Sequence, residues 1–532
     1  MVTKSIDGSP VTPVAWSASL RGLADQFGSA PAVVDGQERE VSYVQLCERA
    51  HRLAHRLLGS YDVGAGQPVA LLLPNQACAV VASYGVRVSG AAEVLISYKS
   101  TAEEIQWCMS LSKATHVITL EAKSEELQAL GFEAIVIDAN GEICEAAATK
   151  NSLAPLPAVD GCLPGRVLFT SGTTGKPKGV LYSHERRWVA EQVLKASLPF
   201  TPQRGDKIIL MTPFIHGSSL LTYAWCDYGA QVVLLEGVEQ QALARLLPDT
   251  RVVAIFAPPT VLAKLGALFE GQSFPHVRCV FTGTQPLTGA IYERAIAMFG
   301  PTVRITYGKS ECVNPITVLT PEQTNAFFHE TPRPAGACVG YPASGVEIKI
   351  VAGDDTDEGG ETDDGEVWLR AAHMSLGFLM PDGFRPHEPD GWHQTGDLGH
   401  IDDRGRLVLT GRLADVIKTG GYRVNPDEIE ACLSTQVTAV DFCVTSIPSD
   451  YWGEVIIAVA ARTDRPWQAQ AQAAVESLSR HKHPRVYVHI DSLPRNPQGK
   501  VSRRQVRQQV LASYRLLDGQ HPRLEPLDPA NQ

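Results

Sequence analysis

The 532-residue chain has no run of about 18 apolar residues of the kind that crosses a bilayer. Its most apolar stretch, 69–96, is broken by proline, asparagine, glutamine, arginine and glycine, so a membrane-spanning helix is not expected. Its 11 cysteines are scattered singly from Cys47 to Cys443, with no Cys-x-x-Cys pair, which excludes the usual zinc and dithiol redox motifs. Free, unpatterned cysteine suits a reducing compartment. There is no basic excess: 47 Lys and Arg stand against 58 Asp and Glu, so the chain as a whole does not attract nucleic acid. The first residues lack the apolar core of a secretory signal, and Pro-Ala-Asn-Gln at the end carries no peroxisomal or lipidation signal; a cytoplasmic location is the expectation.

What is present is ordinary globular material, 44% hydrophobic and 20% charged, in a chain too long for one compact core. Short apolar runs at 68–74, 92–97, 208–212, 231–235, 252–257 and 277–282 alternate with helical patterns such as 240–247 and 289–299. Runs apolar on both faces, separated by helices, predict parallel sheets covered by helices. After about Gly340 the rhythm shortens, and 346–351, 366–370 and 407–410 predict a β-rich subdomain. The stretch 354–364 holds seven carboxylates among Gly and Thr and is taken as a solvated turn rather than a metal loop. A last unit begins near Gly411, has a helix start at Asn425-Pro-Asp-Glu, and ends in a basic helix, 501–514, and a Pro-rich tail.

The strongest local signal is Leu168-Phe-Thr-Ser-Gly-Thr-Thr-Gly-Lys-Pro-Lys-Gly179. Glycines let backbone N–H groups turn inward around an anion, hydroxyls donate to phosphate oxygens, and lysines offset charge. A Walker loop would need Gly-Lys-Ser/Thr opening a helix, but Pro177 follows Lys176 and supplies neither an N–H nor a metal-binding hydroxyl.

This segment resembles the signature of the adenylate-forming superfamily: acyl- and aryl-CoA synthetases, peptide-synthetase adenylation domains and beetle luciferases. Four further motifs follow in the family's order: Tyr307-Gly-Lys-Ser-Glu311, Thr395-Gly-Asp397, Gly411-Arg412 with Ile417-Lys-Thr-Gly-Gly-Tyr-Arg-Val424, and Pro494-Arg-Asn-Pro-Gln-Gly-Lys500. The resemblance implies an α/β fold. A large N-terminal domain (1–411) of two helix-covered sheets plus a β subdomain would be followed by a small mobile α+β domain (412–532). It implies ATP binding by Thr170, Ser171, Gly172, Thr173, Thr174, Gly175, Lys176, Lys178, Gly283, Thr284, Tyr307, Ser310, Asp397 and Arg412, with Glu311 on Mg²⁺. Lys500 would catalyse adenylation, bridging the substrate carboxylate and the α-phosphate. Lys418 and Gly420-Gly421 would enter the site for the second half-reaction, Gly420 and Gly421 lining the thiol channel. Where the family's hinge carries Asp or Lys, this chain has Ala414, followed by Asp415.

The implied reaction is activation of a carboxylic acid by Mg-ATP to an acyl-adenylate with release of pyrophosphate, then acyl transfer. Coenzyme A is the expected acceptor, on the Gly-Gly-Tyr segment and on His216, which resembles the histidine bordering the acyl and thiol sites. An amine or a free-standing carrier protein stays open as acceptor, a homodimer as assembly. The acid pocket is expected to be lined by His216, Ser218, Ser219, Thr222, Gly283, Thr284, Gly308 and Lys309. No Asp follows His216 before Asp227, which disfavours an α-amino acid. His51 and His55 are spaced i, i+4 but lack a third ligand nearby, and are expected on a surface helix. Two rival classes, an ATP-hydrolysing Walker protein and a non-catalytic relative, are weighed against by Pro177 and by the presence of Lys500 and Glu311.

Overall fold

The computed structural model describes residues 13–144, 154–170, 176–330, 336–352, 364–437, 440–461, 467–495 and 501–527. The chain divides into two compact units: Met1–Glu330 with Gly340–Glu347 and Arg370–His393, and Thr331–Val339 with Ile348–Leu369 and Gln394–Gln532.

The first unit contains the two sheets expected. In one, the apolar run at 68 becomes the strand Pro68–Leu72, flanked on both sides by parallel strands, Ala92–Leu95 and His116–Thr119. Pro68 opens it because a first residue can forgo its ladder N–H. In the other, Pro31–Asp35, Gln231–Leu234, Lys207–Leu210, Val252–Phe256, Cys279–Gly283 and Val303–Tyr307 lie side by side in that order, all parallel. Every residue of Val252–Phe256, Cys279–Gly283 and Val303–Tyr307 is buried, as strands covered on both faces must be. The helix Ala77–Ser89 is buried along its whole length and stops at Gly90, which takes the left-handed conformation (φ +80) that closes helices.

A buried ionic network crosses the core of this unit. Glu93, fully buried, accepts from Arg166 Nε at 2.8 Å and Arg187 Nη2 at 3.0 Å, while Arg87 pairs with Glu191 at 2.7 Å. Burial alone would raise the Glu93 carboxyl, but Arg166 and Arg187 outweigh it and hold the carboxyl below its usual range. The helix Tyr43–Ser60 is amphipathic, yet the surface placement expected for its histidines is corrected at His51. That ring is buried and bonds to Ser17 Oγ (2.9 Å) and the Cys47 carbonyl (2.8 Å), because position 51 falls on the inner stripe with Leu46, Ala50 and Leu53.

In the second unit, His393–Ile401 pairs antiparallel with Leu407–Arg412. Its carboxy-terminal sheet carries the long strand Gly453–Ala461 between antiparallel Phe442–Ser449 and parallel Val486–Ile490. Alternation is visible along that strand: Ile456, Ala458 and Ala460 join the cluster around Trp467, whereas Val455, Ile457 and Val459 join the one around Val506 and Val510. The Pro-rich tail is not a loose end: Tyr514–Leu517 and Arg523–Pro526 form an antiparallel hairpin. The acidic run at 353–363 lies outside the described residues. No described helix is long and apolar enough to cross a membrane.

Candidate active site

The six parallel strands from Pro31–Asp35 to Val303–Tyr307 point the same way, so their carboxyl ends fall on one edge, where α/β proteins bind ligands. Lys207–Leu210 runs out into the Met211-Thr-Pro segment and a π-helical turn, Phe214–Ser218, that carries His216. Two further strands of this sheet, Cys279–Gly283 and Val303–Tyr307, end at Gly283-Thr284 and at Tyr307-Gly-Lys-Ser-Glu311. Three of the sequence-predicted segments, spread over residues 211–311, are thus brought to one edge.

Backbone chemistry explains the residue types there. A Cβ on Gly283 would strike the Thr306 carbonyl, and one on Gly308 would strike the Asn314 side chain. Thr284 has φ +72, a region that a β-branched residue occupies only under strain. After Gly308 the chain turns tightly, Lys309 N–H donating to the Cys312 carbonyl at 2.9 Å. Two residues that the sequence did not single out hold these segments. Tyr182 donates its hydroxyl to the Ser310 carbonyl at 2.7 Å and accepts from Val313 N–H at 3.2 Å. Burial lifts its phenol far above the ordinary range, so it stays a donor. Asn75, just past the Pro68–Leu72 strand, donates to the Thr212 carbonyl (3.2 Å) and the Leu235 carbonyl (2.7 Å) and accepts from Phe214 N–H (2.7 Å), clamping the entry to the His216 turn. The only sequence signal for Asn75 was a polar residue directly after an apolar run.

The hydroxyls expected in the acid pocket are engaged within the protein. Ser218 Oγ bonds to Thr212 Oγ1 (2.6 Å) and its carbonyl (2.9 Å), Ser219 accepts from Arg166 (3.0 Å), and Thr222 donates to the Ser218 carbonyl (2.9 Å). All three are buried. Asp227 pairs with Lys195 at 2.8 Å. The Glu311 carboxylate forms no hydrogen bond or ion pair among the described residues, while its carbonyl accepts from Ser375 N–H at 2.8 Å.

The glycine-rich segment connects two antiparallel strands, Pro164–Thr170 and Lys178–Ser183, with Thr170 opposite Lys178. The strand Lys178–Ser183, rather than a helix, follows it, which weighs against the Walker alternative. Ser171, Gly172, Thr173, Thr174 and Gly175 lie outside the described residues. Beyond them Lys176 is exposed, 3.8 Å from Glu103 and 4.6 Å over the Trp107 ring, and Trp107 Nε1 donates to the Pro177 carbonyl at 2.8 Å.

In the second unit Asp397 and Arg412 are cross-strand partners, with Nε and Oδ1 3.3 Å apart. Ala414 is exposed in the 3₁₀ turn Leu413–Asp415, and Asp415 pairs with Arg503 at 2.8 Å. Lys418 lies exposed on Ile417–Thr419, its N–H donating to Glu454 at 2.8 Å. Gly420 and Gly421 form the turn to Tyr422–Val424, both at positive φ (57 and 83), as a two-residue turn with two left-handed positions requires. Lys500 lies outside the described residues.

The chain belongs to the AMP-binding enzyme family, whose pattern matches residues 20–379. It is therefore an adenylate-forming enzyme. It is similar to a 2-succinylbenzoate–CoA ligase of Listeria monocytogenes (25% identical over 473 residues, 88% of this chain and 94% of the relative). It is also similar to the long-chain-fatty-acid–CoA ligase FadD13 of Mycobacterium tuberculosis (28% over 487 residues, 89% and 94%). The fold is shared with o-succinylbenzoate CoA synthetase from Bacillus subtilis in complex with its acyl-adenylate intermediate (TM-score 0.79, 24% identity, 94% and 98% covered).

Proposed function

We propose that the enzyme condenses a carboxylic acid lacking an α-ammonium group with ATP, releases pyrophosphate, and transfers the acyl group to coenzyme A. The observation that carries the first step is the common strand edge that presents the His216 turn, Gly283-Thr284 and Tyr307–Glu311. Gly283 and Gly308 let these turns pack against Thr306 and Asn314, where a Cβ would collide. The lone Glu311 carboxylate fits Mg²⁺, which keeps waters and phosphate oxygens as its other ligands; bound there, the ion would neutralise phosphate charge. Among the described residues no cluster of three or more acidic, His or Cys side chains competes for a metal. Asp397 and Arg412 are assigned to the ribose, Lys500 to adenylation, Lys418 and Gly420-Gly421 to thiol transfer, and Ala414 to the hinge between 1–411 and 412–532. Ser218, Ser219 and Thr222, already bonded, contribute packed wall to the acid pocket beside His216, Gly308 and Lys309. With Asp227 held by Lys195, no carboxylate is offered to a substrate ammonium from the segment after His216.

For the acceptor, a cavity of about 310 Å³ beside the Gly420-Gly421 turn is lined by Thr419, Tyr422, Trp452, Arg480, His481 and Arg485. Tyr422 stacks on His481 at 4.2 Å, and Arg485 lies 3.6 Å over Trp452. Aromatic faces suit a purine and guanidinium groups suit phosphates, so this pocket fits the nucleotide half of coenzyme A. The test is acid-dependent pyrophosphate release over aryl, cyclic and fatty acids, with and without CoA. Multiple turnover only with CoA supports the reading; acid-dependent release indifferent to CoA moves the acceptor to an amine or carrier protein.

A further inference from the structure

Past the Arg503–Ser513 helix the chain folds back as the hairpin Tyr514–Leu517 and Arg523–Pro526, with Leu516 and Leu524 packed on the cluster around Val455 and Val506. Its tip is held by polar bonds. The Asp518 carboxylate accepts from Ser449 Oγ (2.7 Å), Asp450 N–H (2.6 Å), Tyr451 N–H (3.2 Å) and Gly519 N–H (2.8 Å). The Gly519 carbonyl accepts from Trp452 Nε1 at 3.0 Å. These bonds converge on the turn between Phe442–Ser449 and Gly453–Ala461. That turn delivers Trp452, whose carbonyl accepts from Gly420 N–H at 2.8 Å and whose ring lies where a Cβ on Gly420 would come within 3.0 Å. Trp452 in turn carries Arg485 on its face. The bond from Ser449 and the N–H donors hold the Asp518 carboxyl below its ordinary range, so the tip stays anionic at neutral pH.

We propose that the hairpin tip, Asp518 with Gly519, is a positioning element for acyl transfer. It fixes Trp452, and through it Arg485 and the Gly420-Gly421 turn, in the arrangement that receives the acceptor's nucleotide. The inference rests on the reading of the Tyr422–Trp452 pocket as the coenzyme A site. Neither Asp518 nor Gly519 lines that pocket, so their effect is through Trp452.

The experiment compares Asp518→Ala and Trp452→Ala, alone and combined, by the KM for CoA in the full reaction and by acid-dependent pyrophosphate exchange without CoA. If Asp518→Ala leaves Trp452 in place only about one fifth of the time, the KM for CoA rises about fivefold while exchange and kcat at saturating CoA hold. Trp452→Ala raises that KM at least as much, and the combined variant adds little to it, because the two act in series. A raised KM for Trp452→Ala with none for Asp518→Ala overturns the hairpin's role. No change in either variant overturns the pocket reading and the inference with it. Equal loss of exchange and transfer in Asp518→Ala makes the hairpin a general structural support and also overturns the proposal.

Discussion

Tyr182 and Ser310, 128 positions apart, are joined by a 2.7 Å bond from the buried phenol to the backbone carbonyl. The same hydroxyl accepts Val313 N–H, so one side chain sets the path of the turn holding Tyr307, Ser310 and Glu311. Tyr182→Phe keeps the ring and leaves two backbone groups without that partner. Stability should fall by about 1–3 kcal/mol, read from the denaturation midpoint. Acid-dependent pyrophosphate exchange should slow more than CoA transfer from supplied adenylate. Unchanged exchange would remove Tyr182 from the positioning of the turn.

Glycines at this edge differ in what a methyl would meet. At Gly308 it meets the Asn314 side chain, whereas at Gly217 the nearest atom is Phe256 Cζ at 3.6 Å, ordinary contact. Gly308→Ala should therefore lose most exchange activity through displacement of the turn. Gly217→Ala should fold with unchanged melting temperature. Circular dichroism melts beside exchange assays separate the two; equal tolerance at both positions would mean that the 308–314 turn yields easily.

Lys500→Ala tests the division of labour between half-reactions. Loss of one transition-state donor should cut adenylation by about 10²–10³. Transfer from supplied acyl-adenylate to CoA should survive. Parallel loss of both steps would contradict the assigned role.

His184 makes the protein acid-sensitive in a defined window. Its Nδ1 accepts from Trp16 Nε1 at 3.0 Å and its Nε2–H donates to the Gly90 carbonyl at 3.0 Å, so the ring is held neutral. Burial, reinforced by Arg187, lowers its pKa from 6.5 to about 3. The unfolded state then binds the extra proton first. Stability from this group is complete above pH 6.5 and declines as pH falls toward 3, by about 1.4 kcal/mol per pH unit. Denaturant midpoints between pH 7 and 4.5 should show a shallower slope in His184→Gln than in the parent; identical slopes would place the acid sensitivity elsewhere.

Motif order and strand character were legible in the sequence because both are local. Runs such as Val252–Phe256 are apolar throughout since helices cover both faces, and Gly420-Gly421 announces a turn that needs two positive φ values. The family followed from five short segments that occur in the family's order.

Tyr182, Asn75 and the bonds of Asp518 and Gly519 with the Ser449–Trp452 turn belong to the tertiary structure alone. Each joins segments whose separation in sequence carries no period or spacing, and a Tyr, Asn or Asp in those local contexts reads as ordinary strand, loop or tail. The same holds for His51, where a helix pattern cannot say which polar residue the core will accept until Ser17 stands opposite it. Motif order determined the class of reaction, activation of a carboxylic acid as an adenylate. Only folding decided which side chains hold the segments in place, because a hydrogen bond depends on where two groups meet and not on what either is.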